Sequence, residues 1–152
     1  MEIGKMSYWD YPHVDFSELV GKTLVEVINT GDEMKFICSD GSQYKQYHFQ
    51  DCCESVSVED ICGDIQDIIG SPIVVADVST SSERQSWETK YGPGEEYYYP
   101  DSFTWTFYKL DTIKGGITIR WYGTSNGYYG ESVDFIRIKD AEDSEVSPPS
   151  VN

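Results

Sequence analysis

His48, Asp51, Cys52, Cys53 and Glu54 form the densest group of ligand-type side chains in the chain, and Cys62 follows a short segment later. Thiolate and imidazole together can bind zinc, and a cysteine beside a histidine can act as a nucleophile when its thiolate is favoured. The spacing matches no standard finger or ribbon, because no second Cys-x-x-Cys pair accompanies it. A metal or thiol enzyme centred on His48, Cys52 and Cys53, with Cys62 completing a zinc set, is therefore the alternative reading rather than the leading one. The main reading expects no cofactor. His13 and His48 are the two histidines, so general-base chemistry has few candidates. Gly21-Lys22-Thr23 ends like a phosphate-binding loop, but Phe16 stands where the loop's first glycine belongs.

A second constellation is acidic. Asp60, Asp64 and Asp67 fall at i, i+4 and i+7, which on a helix makes one carboxylate stripe. Glu95 and Glu96 precede Tyr97 and Tyr98 in a tyrosine-rich stretch, and three consecutive tyrosines in a strand cannot all face one core. Exposed carboxylates with aromatic anchors suit a basic partner. Charge supports this: 152 residues carry 27 Asp plus Glu against 11 Lys plus Arg, a formal net charge of −16. Such a balance argues against direct binding of nucleic acid or anionic lipid. It also allows carboxylates to imitate nucleic-acid phosphates.

These residues must be placed by a fold. The length suits one domain, and 39 % apolar with 14 % aromatic residues is too rich for a disordered chain. Residues 1–14 read as a loosely packed lead-in, and residues 15–20 as a short helical turn started by Asp15. Thr23–Asn29, Met34–Cys38 and Ser42–Phe49 read as a meander of strands, with Asp40-Gly41 predicting a type I′ hairpin turn. Ser57–Ile69 places Ile61, Ile65, Ile68 and Ile69 on one helical face, with Gly70 and Pro72 as stop signals. Ile73–Val78 reads as a buried strand. Residues 79–101 form an arm or loop with Gly92-Pro93-Gly94 at its tip. Alternation predicts strands at 103–108 and 117–122; Asn126-Gly127 reads as a turn, and 133–138 as the last strand. Residues 140–152 are acidic and read as a disordered tail. The expected architecture is α+β within residues 1–139: a curled, mainly antiparallel sheet of about seven strands, one helix packed on one face, and a protruding β-arm. Met1 to Lys5 show no apolar signal core, so a cytoplasmic location with reduced thiols is expected.

The run Gly21-Lys22-Thr23-Leu24-Val25-Glu26-Val27, the segment His48-Phe49-Gln50-Asp51-Cys52-Cys53-Glu54-Ser55-Val56, then Glu59–Asp64 and Ile68–Ile73, resemble a family of small uncharacterised phage and bacterial proteins. The resemblance spans about Gly21 to Ile138, and His-x-x-Asp-Cys-Cys-Glu is its most specific element. It implies a phage or prophage accessory protein and supplies no catalytic residues. The expected function is a non-catalytic inhibitor of a bacterial defence system, of the anti-CRISPR type. Its acidic surface would occupy a nucleic-acid-binding groove of a basic host protein such as a CRISPR effector. Asp60, Asp64, Asp67, Glu95, Glu96, Tyr97 and Tyr98 are the expected partner-binding residues. The remaining alternative is a phage structural or assembly protein.

Overall fold

The computed structural model describes residues 11–50, 53–84, 102–125 and 130–142, apart from the side chains of 82–84. β-branched and aromatic alternation dominates these segments, and they form eight strands. The strands are β1 (Leu24–Asn29), β2 (Glu33–Cys38), β3 (Gln43–Tyr47), β4 (Ser55–Cys62), β5 (Val75–Arg84), β6 (Ser102–Thr112), β7 (Gly115–Ser125) and β8 (Asp134–Lys139). They make two antiparallel four-stranded sheets, ordered β1-β2-β3-β8 and β4-β7-β6-β5.

One core lies between the sheets. Leu24, Met34, Phe36, Tyr44 and Phe135 of the first sheet share it with Tyr108, Leu110, Ile117, Ile119 and Trp121 of the second. The expected turn at 15–20 forms as a 3-10 turn, Phe16–Leu19, and inserts Phe16 and Leu19 into the same core. Phe16 meets Tyr108 edge-on at 4.7 Å between ring centroids and Phe135 at 5.0 Å, so one ring ties the two sheets together. Trp121 Nε1 donates to Gln46 Oε1 across the core at 2.8 Å.

The α+β expectation with a packed helix is overturned. Residues 57–69 contain no α-helix; they are the end of β4, a turn, and a 3-10 turn at Ile65–Ile68. Two local facts decide this. Ser55-Val56-Ser57-Val58 alternates with period two and pairs in register with Thr124 to Trp121 of β7. Gly63 takes φ +111°, which a right-handed helix does not allow. The isoleucine spacing that suggested a helix face serves different elements: Ile68 is fully buried beneath the 3-10 turn, while Ile61 lies on β4.

Other expectations are refined. The first three strands form the expected meander, but Gly41 alone takes positive φ at the β2–β3 turn, so it is not type I′. Residues 73–78 are not a buried strand. Ile73 and Ala76 are buried, whereas Val74 and Val78 are exposed, because β5 lies at a sheet edge. Residues 79–84, the start of the expected arm or loop, belong to a ladder that runs from Val75↔Asp111 to Arg84↔Ser102 within the second sheet. The arm's expected tip, and the turn at Asn126-Gly127, lie outside the described residues.

Candidate functional site

The acidic constellation is dispersed by the fold. Asp60 is on β4, where its carboxylate receives two hydrogen bonds from Arg120 of β7, Nε to Oδ1 and Nη2 to Oδ2, each 2.6 Å. These bonds hold the Asp60 carboxyl below its ordinary range and raise the Arg120 guanidinium. The same guanidinium lies 5.1 Å from the Trp105 ring centroid, a cation–π contact. Asp64 caps the second 3-10 turn by accepting from the Gln66 N–H at 3.0 Å. Asp67 lies within that turn, and its carbonyl accepts from the Thr112 hydroxyl. The three acids therefore share no helix face. Glu95, Glu96, Tyr97 and Tyr98 lie outside the described residues.

Acidic side chains that no spacing rule singled out complete the surface. The Val58 N–H donates to the Gly31 carbonyl at 2.8 Å, docking the β1–β2 turn onto β4. Asp32 follows Gly31, and Glu59 is the extra residue of a bulge between Val58 and Asp60. Both are exposed, as are Glu26 on β1 and Asp77 on β5. By contrast the cations are largely engaged: Lys22 with Asp40, Lys45 with Glu33, Lys109 with Asp111, Arg137 with Glu18 and Asp140, and Lys139 with Glu142.

The His48 to Glu54 segment behaves differently from the zinc expectation. His48 Nε2 lies 2.6 Å from Glu54 Oε2, and Nδ1 lies 2.7 Å from the Ser132 carbonyl. A carbonyl only accepts, so Nδ1 carries a hydrogen and donates it. Nε2 then faces the buried Glu54 carboxylate. The Gln50 amide donates to the Glu54 carbonyl at 2.6 Å and closes the loop. Both imidazole nitrogens are thus engaged, and Cys62 stands at the opposite end of β4 from Glu54. An eight-residue strand spans roughly 25 Å, far beyond a coordination sphere. Cys53 is disulfide-bonded, so it is not the reduced thiol expected, while Cys38 and Cys62 are free. Asp51 and Cys52 lie outside the described residues. Among the described residues no group of three or more His, Cys, Asp or Glu side chains could hold a metal ion.

The same end of the sandwich holds a second buried carboxylate. Glu131 accepts from the Thr104 hydroxyl at 2.7 Å and the Ser125 hydroxyl at 2.5 Å. Gln46, Thr106, Ser125, Glu54 and Glu131 are all buried here. Sequence reasoning found His48 and Glu54 but not Glu131, Thr104 or Ser125. Their partners are 27 and 6 residues apart in sequence, and only the β6–β7 ladder brings them together.

A family model for DUF7448, described as a domain of unknown function, matches residues 17–135. The chain belongs to the DUF7448 family. Within this DUF7448 domain the matched span runs from the first 3-10 turn to the start of β8, and it includes His48, Glu54, Thr104, Ser125 and Glu131. Comparison with curated proteins and with solved structures finds no match. Among the described residues no helix is long and apolar enough to cross a membrane.

Proposed function

We propose that this DUF7448 protein is a non-catalytic binding protein whose acidic surface engages a basic macromolecular partner. The observation that carries the reading is the unbalanced exposed acid. Once the cations named above are tied to carboxylates, Glu26, Asp32, Glu59 and Asp77 remain at the surface of a chain with net charge −16. Such a surface speeds encounter with basic partners and repels nucleic acid.

The finer form of the proposal is a phage-encoded inhibitor of a bacterial defence system, of the anti-CRISPR type. It would act in the host cytoplasm by occupying a nucleic-acid-binding groove of an effector. The motif resemblance and the phosphate-like spread of carboxylates support it. The test is a tagged pull-down from a bacterial lysate containing CRISPR effectors, at low and high salt, read by mass spectrometry. Capture of a nucleic-acid-binding effector at low salt and its loss at high salt is the expected result. Recovery of no such protein would overturn the finer proposal for the effectors present.

A further inference from the structure

β5 and β8 are edge strands of their respective sheets, and a cleft of about 270 Å³ opens between them. That volume is near the lower end of small-ligand sites. Val14, Val78 and Val133 form its aliphatic walls, Tyr108 reaches it from β6, and Asp15 and Asp134 line it as well. His13 shares the lining. Val78 is 47 % exposed, although it sits opposite buried Tyr108 in the ladder, so apolar surface faces the opening.

The charge in this cleft is one-sided. Burial, together with the Asp134 carboxylate, raises the Tyr108 phenol well above its ordinary range. The Asp15 carboxylate accepts from the neighbouring Ser17 hydroxyl at 3.2 Å, and its backbone carbonyl from the Glu18 N–H at 2.9 Å. The Tyr108 hydroxyl donates to the Val133 carbonyl at 3.3 Å, and its oxygen remains able to accept. An anion would meet carboxylates here, and a purely apolar ligand would desolvate them without compensation.

We infer that the cleft receives a primary alkylammonium presented as a lysine side chain, its stem between Val14, Val78 and Val133 and its ammonium at Asp15 and Asp134. The inference rests on the basic-partner reading for the source of the cation, but the cleft is testable without any partner. The probes are N-acetyl-lysine methylamide, its neutral norleucine counterpart, butylamine, and a lysine flanked by basic residues in a short peptide. Amide NMR shifts of the full chain are followed on titration. Saturable shifts at Val78, Tyr108 and Val133 are expected with the lysine derivative and not with norleucine. Asp134→Asn is expected to weaken binding about tenfold, and Val78→Trp to abolish it by filling the cleft. Equal binding of norleucine, or unchanged affinity in a folded Asp134→Asn protein, would overturn the site. Butylamine binding as tightly as the basic peptide at low salt would overturn the lysine source. Salt-sensitive capture of a basic partner that survives Asp134→Asn would leave the acidic-surface reading standing while this cleft is abandoned as its contact.

Discussion

His48 Nε2 and Glu54 Oε2 lie 2.6 Å apart, with the imidazole 6 % and the carboxylate 0 % exposed. The pair joins the segment after β3 to the residue before β4, and through Ser132 to the entry of β8. Breaking a buried pair strands the surviving group without compensation, which is worse than removing both. His48→Ala is expected to cost about 3 kcal/mol of unfolding free energy. The double change His48→Leu with Glu54→Leu is expected to cost less than that single change. Chemical denaturation measures both, and a double change that costs as much as or more than His48→Ala would show that the pair is not coupled.

Gly63 separates the observed fold from the helical alternative by the sign of one substitution. A Cβ here would stand 2.6 Å from the Gly116 carbonyl oxygen and 3.1 Å from the Ile117 Cα, at φ +111°. Gly63→Ala is therefore expected to destabilise by about 2 kcal/mol or more. In a helix interior the same change would stabilise by about 1 kcal/mol. A rise in melting temperature for Gly63→Ala would contradict the turn after β4.

The sequence was legible where one face of a strand is buried and the other is not. Met34, Phe36 and Cys38 alternate with Glu33, Lys35 and Ile37, and β2 forms one residue from its expected start. Similar alternation located β6 and β7. It failed over 57–69 because four isoleucines at helical spacing coincided with a strand end and a 3-10 turn. The period-two run Ser55 to Val58 was the stronger signal there. The polar end of the sandwich was half legible: His48 and Glu54 are near neighbours in sequence, whereas Glu131 meets Thr104 only through tertiary pairing.

Asp40 gives a pH signature. Burial pushes its carboxyl up, but hydrogen bonds from the Lys22 ammonium and from Ser42, with the Lys22 charge, outweigh this and hold it at about 2. A carboxyl lowered in the folded state contributes stability above its unfolded value, near 4, and loses it as pH falls towards 2. The side chain is 40 % exposed, so solvent screening limits the contribution to under about 1 kcal/mol. Asp40→Asn is expected to flatten the stability profile between about pH 4 and pH 2 by that amount. An unchanged slope would show that the Lys22–Asp40 bridge contributes nothing in solution.

Trp121→Phe tests the cross-core bond. It keeps an aromatic ring and removes the donor to Gln46, leaving a buried acceptor unpaired. A loss of about 1–3 kcal/mol is expected in urea denaturation. A loss smaller than a few tenths would show that Gln46 finds another donor.

The central claim is that surface carboxylates, rather than a buried centre, carry the activity. Its most direct measurement is competition: nucleic-acid binding by a purified CRISPR effector, titrated with wild-type protein and with a Glu26→Lys, Asp32→Lys, Glu59→Lys, Asp77→Lys variant. Wild type is expected to displace the nucleic acid at low salt, and the charge-reversed variant, folded by circular dichroism, to fail. Displacement that survives charge reversal, or no displacement by wild type at any salt concentration, would contradict the account.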